Sequence, residues 1–181
     1  MKTWSFFASA STYVIPEASN YVQPSFTADR SRLHLEARYN YEAQKTGSVW
    51  MGWNFSGGDT VEWELTPMVG GVFGEVDGIA PGDKGSISWR KISLYIESEY
   101  VIDTADMSNS FFYSWSELTY AVTDGFRAGL VVQRTHAYHT DRDVQRGLIL
   151  GYSYRHAEFT LCLFNPDVDK PTGTFAVGFR F

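Results

Sequence analysis

Apolar and polar residues alternate with period two along most of this chain, in short runs separated by polar breaks. The clearest run is 33–42. Leu33, Leu35, Ala37, Tyr39 and Tyr41 share one parity, and His34, Glu36, Arg38, Asn40 and Glu42 share the other. Such a repeat marks a β-strand with one apolar and one polar face. The same pattern predicts strands over 3–15, 21–29, 33–42, 49–55, 61–69, 86–90, 92–100, 110–122, 126–138, 146–154, 157–164 and 174–181. Turn-forming residues punctuate them, as at Ser56-Gly57-Gly58-Asp59 and Thr123-Asp124-Gly125. The segment 74–84, rich in Gly, Asp and Pro, is expected to be the longest loop. Pro24 and Pro67 fall inside apolar faces, where a missing N–H breaks the ladder, so bulges or boundary positions are expected there.

The connections after the odd-numbered strands read as longer and acidic, and those after the even-numbered strands as tight. With an even strand count, this is the layout of an up-and-down antiparallel barrel with both termini at one end. Aromatics cluster near both ends of the strands: Trp4, Trp53, Trp63, Trp89 and Phe181 at one, Tyr41, Tyr100, Phe112 and Tyr138 at the other. Girdles of this kind flank an apolar belt in membrane barrels. Composition agrees without deciding. Aromatics are 17% of 181 residues, yet mean hydropathy is only -0.24, because half of each strand is polar. No apolar run is long enough for a transmembrane helix. Length predicts a single domain, residues 1–181. A net charge of -6 argues against nucleic acid as a partner. The lone Cys162 excludes an intramolecular disulfide and a cysteine metal site, and no cofactor is expected.

The last strand sharpens the picture. Phe175, Val177, Phe179 and Phe181 alternate with Thr174, Ala176, Gly178 and Arg180, and the sequence stops on the aromatic. This ending resembles the closing strand of bacterial outer-membrane β-barrels. The resemblance implies a 12-stranded transmembrane barrel in a Gram-negative outer membrane. It also implies contact with the lipid bilayer and lipopolysaccharide, and insertion by the barrel-assembly machinery with Phe175, Val177, Phe179 and Phe181 as the signal strand. Export calls for a signal peptide. The stretch from Trp4 to Ala8 is too short for one, so the chain reads as a mature form with an added initiator Met.

If the apolar face meets lipid, the polar face lines the lumen. Glu36, Glu62, Glu64, Glu97, Glu99 and Glu117 then face Arg38, Arg90, Arg127, Arg155 and Arg180. Acids come mostly from strands three to eight and bases mostly from nine to twelve, which would set a transverse field across a narrow bore. Twelve strands lie between a filled barrel and an open porin. A narrow channel for small polar solutes or ions and a closed barrel with a structural or surface-interaction role are both compatible with this lining. A soluble lipocalin-like barrel would reverse the faces, with aromatics around an apolar ligand. His136, His139, Asp141 and Asp143 are the one candidate rim cluster for a hydrolase or a metal. No recognisable Ser nucleophile accompanies them, and the chain is not expected to be an enzyme.

Overall fold

The structure, a computed structural model, describes residues 3–16, 19–137 and 143–181. Its strands are β1 (Ser5–Val14), β2 (Tyr21–Arg30), β3 (Leu33–Tyr39), β4 (Thr46–Trp53), β5 (Phe55–Gly57), β6 (Val61–Gly74) and β7 (Gly78–Trp89). They continue with β8 (Ile92–Asp103), β9 (Phe111–Ala121), β10 (Phe126–Ala137), β11 (Asp143–Tyr154), β12 (Ala157–Phe164) and β13 (Thr172–Arg180). Each pairs antiparallel with its neighbours, and β13 returns to β1 with Phe7 opposite Arg180 and Val14 opposite Gly173. β4 and β5 both pair with β6 and form one ribbon, so the sheet is a closed barrel of twelve staves. Among the described residues, closure leaves no free edge strand.

The alternation decides which way each side chain points. Leu35, Val49, Met51, Leu65, Leu130, Leu148, Leu161 and Phe175 are all exposed on the outside, Leu130 at 55%. Their sequence neighbours Glu36, Ser48, Trp50, Val131, Ile149, Cys162 and Thr174 are buried inside. At the end that holds both termini, Phe6 stacks on Phe26 and on Phe181 at ring distances of 6.0 and 5.8 Å. Phe181 also exchanges backbone hydrogen bonds with Phe6, N to O at 2.9 and 3.0 Å. The terminal aromatic is therefore held in the seam between first and last strands. Its ring, 66% exposed, faces outward with Phe175 and Phe179, and Val177 is half-buried.

The segment 74–84 is not a loop. Gly78–Trp89 forms a twelve-residue strand, and the chain turns within 75–77. Interior bulk bears on one of the glycines that suggested a loop, Gly82, and on Gly70 of β6. A Cβ at Gly70 would lie 2.5 Å from the Trp50 ring directly opposite, and one at Gly82 would lie 3.3 Å from the same ring. Small residues on β6 and β7 thus make room for one large inward side chain on β4. A valine at Gly70 must push that ring aside and break the hydrogen bonds from Trp50 Nε1 to Ser48 Oγ (2.9 Å) and Glu42 Oε1 (3.3 Å). Gly70→Val is expected to cost about 1–3 kcal/mol, measured by urea unfolding in lipid, with a shift in tryptophan emission.

The prolines interrupt ladders without inserting a residue. The β2–β3 ladder stops at Ser25 opposite Arg38, one residue short of Pro24. Side chains take over there: Asn40 Nδ2 donates to Val22 O and Gln23 Nε2 donates to Asn40 O, each at 2.9 Å. Pro67 faces the gap between β4 and β5. There Asn54 Oδ1 accepts from Thr66 Oγ1, and Asn54 Nδ2 donates to Asp29 Oδ1, both at 2.7 Å. The expected bulges are therefore register-preserving gaps closed by amide and hydroxyl side chains, which supply partners where the backbone ladder is interrupted.

Candidate functional site: the charged bore

Arg38, near the end of β3, is the centre of the interior. Its Nε donates to Glu36 Oε1, its Nη2 meets Glu97 Oε1 and its Nη1 meets Glu99 Oε2, each at 2.9 Å. Glu42 Oε1 lies 3.7 Å from the same Nη1. The guanidinium carbon sits 4.4 Å from the Tyr41 ring centroid and 4.7 Å from that of Trp50. One fixed cation thus serves four carboxylates, which suits the planar fork of arginine. Lys84 Nζ adds a contact of 2.6 Å to Glu36 Oε2. His34 bridges Glu36 and Asp29 through its two ring nitrogens, at 3.2 and 2.8 Å. Tyr41 and Tyr95 hydroxyls donate to the two oxygens of Glu97, at 3.0 and 2.7 Å.

Two smaller ion pairs lie on β9–β10 and on β12–β13. Arg127 Nη1 donates to Glu117 Oε2 at 2.7 Å, and Trp115 Nε1 donates to the other oxygen at 2.9 Å. The Arg127 side chain crosses Gly151, where a Cβ would lie 2.4 Å from its Nε. Arg180 Nη2 meets Glu158 Oε1 at 3.1 Å.

The structure separates the remaining charged residues that the alternation pointed inward. Glu62 and Glu64 are exposed near the terminal end, with Glu64 beside a cavity shared with Asp29, His34 and Thr66. Arg155 occupies the turn between β11 and β12 with φ of 55°, exposed, over the Tyr154 ring at 5.3 Å. Arg90 is placed likewise between β7 and β8, over Trp89. These two guanidinium groups belong to the terminal rim rather than to the interior. The wall-to-wall separation of charge also takes a different form, because Arg38 and Lys84 sit among the acids and pair with them locally.

Sequence reasoning missed Lys84, which fell in the expected loop, and the inward Trp50. Alternation carried through the Gly-rich stretch would have placed Lys84 on the interior parity with Gly82 and Ser86. Of the rim cluster, His139 and Asp141 lie outside the described residues, as do the side chains of His136 and Asp143.

Packing divides the bore. Trp50, Met68, Val72, Ala80 and Val101 fill one side. Val131, Ile149, Cys162 and Phe164 fill another, with Trp115 edge-on to Phe164 at 5.5 Å. A cavity of about 580 Å³ runs against the hydroxyl-rich wall of β1 and β2, bounded by Ser9, Ser11, Ser25 and Thr27. Glu97, Lys84, Glu117 and Arg127 face that wall. At the end opposite the termini a second cavity of about 180 Å³ shares Gln23, Tyr41 and Tyr113 with the first. Tyr41 packs edge-on against Tyr113 at 5.7 Å, and Tyr13 stacks on Tyr21 at 4.8 Å. The aromatic group formed by these four residues is the partition between the two cavities.

No family model and no curated protein matches the chain. Among solved structures, the fold is similar to that of the KdgM porin, with a TM-score of 0.67 at 10% identity over 97% of this chain and 99% of that one. It is similar to the same porin in complex with disordered oligogalacturonate, at 0.65 and 9% over 98% and 99%. OccK5 (OpdH) of Pseudomonas aeruginosa gives 0.52 at 9% identity, over all of this chain and 68% of the other. The chain therefore has the closed, antiparallel twelve-strand fold of outer-membrane porin barrels.

Proposed function

We propose that this chain is a narrow porin-like channel of a bacterial outer membrane, passing small polar solutes or ions. The observation that carries the reading is the cavity of about 580 Å³ bounded by hydroxyls and paired charges, enclosed by a barrel whose outer face is apolar. A belt of leucines, valines and aromatics belongs against acyl chains, and an ionic lumen belongs in contact with water. Glu36, Glu97 and Glu117, with Lys84 and Arg127, form the lining. Glu99 and Arg38 stand behind it as support, since each is almost fully buried.

The solute differs from the oligogalacturonate held in the similar KdgM porin complex. That ligand is a polyanion, and the central cluster here holds Glu36, Glu42, Glu97 and Glu99 against Arg38 and Lys84. An acid excess repels a chain of carboxylates and favours neutral or cationic solutes.

Single-channel recording in planar bilayers tests the reading. Discrete conductance steps are expected, and Tyr113→Ala is expected to raise the unit conductance by opening the aromatic partition. A folded barrel that inserts and passes no current in either form would instead support a closed barrel.

A further inference from the structure

We propose that the outer face of β7–β10 is where a second copy of this barrel docks. The inference goes beyond the channel reading and needs only that the barrel lies in a membrane. On these strands the outward parity carries a polar row through the apolar belt. Asp83 stands opposite Ser98, Ser98 opposite Ser114, and Ser114 opposite Arg134, so the four cross four neighbouring strands in register. Ile96 and Tyr100 flank Ser98 and are exposed on the outside, while Glu97 and Glu99 are buried within. Among the described residues, no other strand carboxylate has the outward parity.

Asp83 is the sixth of the twelve residues of β7, well inside the apolar belt. A carboxylate at this depth is costly, and in membrane proteins such groups face protein or a wet cavity rather than lipid. Ser98 Oγ donates to Asp83 Oδ1 at 2.6 Å, the one side-chain hydrogen bond of Asp83 among the described residues. Arg134 is exposed and forms no ion pair among the described residues. The interior cations differ: Arg38, Lys84 and Arg127 each hold a carboxylate at 2.9 Å or closer. Three strand spacings, about 14 Å, separate Asp83 from Arg134, too far for the two to meet within one copy.

A second copy supplies the missing partners. Both copies share one orientation in the bilayer, so a two-fold axis relating them runs along the membrane normal. Set between β8 and β9, that axis brings β7 of each copy against β10 of the other, and Ser98 against Ser114. Asp83 of each copy then faces the second copy's Arg134, and the surface is complementary to itself. The row climbs with the strand tilt, and the long arginine stem reaches back across that rise. A recess beside the row fits a packed neighbour as well. Gly85, on the same parity as Asp83, opens an apolar groove of about 340 Å³ walled by Trp63, Leu65, Ile87, Leu94 and Ile96. A Cβ at Gly85 would lie no closer than 3.6 Å to any atom beyond its chain neighbours, so crowding within the barrel does not call for this glycine. Small residues on a membrane-facing surface let another protein approach closely. An acyl chain fills such a groove but donates nothing to a carboxylate.

Single cysteines in a Cys162→Ala background, oxidised in vesicles at low protein content, test the arrangement. Ser98→Cys and Ser114→Cys, both beside the axis, are expected to trap a disulfide-linked dimer. Ala10→Cys, exposed on β1 at the opposite side of the barrel, is expected to trap none. Energy transfer between barrels labelled at Asp59→Cys, in an exposed turn, measures the affinity. Asp83→Asn is expected to weaken association about tenfold or more, the worth of a hydrogen bond to a charged partner. It removes a charge from the belt, so the barrel itself is expected to keep its heat-modifiable, folded form. Gly85→Leu, which fills the recess, is expected to weaken association too. Asp83→Arg is expected to abolish it and Asp83→Arg/Arg134→Asp to restore it; if the outward arginine prevents folding, Asp83→Asn and Gly85→Leu decide. Equal trapping at Ala10→Cys, transfer no greater than random mixing gives, or wild-type association in both folded variants overturns the interface.

Discussion

Arg38→Met is expected to lower the unfolding free energy of the barrel by about 3–5 kcal/mol, the cost of leaving a buried charge cluster without its partner. The side chain is fully buried, and Glu36, Glu97 and Glu99 each hold it at 2.9 Å. Methionine keeps much of the stem's volume between Tyr41 and Trp50 but offers no donor. The four carboxylates then repel one another with Lys84 as their nearest compensation. Part of the loss is expected to return in Arg38→Met/Glu99→Gln, which removes one of the stranded charges. Urea unfolding in lipid vesicles, followed by the heat-modifiable shift on gels, measures both variants. A stable single variant would mean that the cluster is hydrated and contributes little.

The second large effect is on the other face. Leu130 lies midway along β10, exposed and flanked in register by Leu118 and Leu148. An arginine at this depth of a bilayer costs about 2–4 kcal/mol. Leu130→Arg is therefore expected to destabilise the lipid-embedded barrel by that amount. Thr27→Arg, on the hydroxyl wall of the larger cavity, is expected to cost much less in stability and to change conductance instead. The asymmetry between the two is the result to look for, since in a water-soluble barrel the outward arginine would be the harmless one.

How far these features were legible in the sequence depends on what each rests on. Side-chain direction rests on local parity, so the outward placement of Leu35, Leu130 and Phe175 followed from alternation alone. The first half of strand β7, 78–85, was missed because its interior-facing positions carry Gly78, Ala80, Gly82 and Lys84, and no apolar parity survives around Gly82 and Gly85. At Gly82 the small residue leaves room for the Trp50 ring, two strands away on β4. A bulky residue on a polar face is itself a signal, since its neighbours across the sheet must be small.

The charged centre was legible as a set of residues but not as a network. Arg38 and Glu99 are 61 positions apart, and their contact depends on barrel closure and on the register of several ladders. Arg155 and Arg90 shared the interior parity, yet each opens a two-residue turn in the left-handed region, where parity ceases to apply. The larger and smaller cavities were not legible at all. They are the space left among inward side chains drawn from many strands, and that depends on packing in three dimensions.

In a membrane barrel of this kind the apolar face meets hydrocarbon and the ionic face lines the interior. Nitroxide labels placed one at a time at positions 127–133 of β10, in a Cys162→Ala background, report this directly through their collision rates with oxygen in reconstituted vesicles. Oxygen contact is predicted to rise at Ala128, Leu130 and Val132 and to fall at Arg127, Gly129, Val131 and Gln133. Uniform rates along the strand, or maxima at the odd-numbered positions, would contradict it.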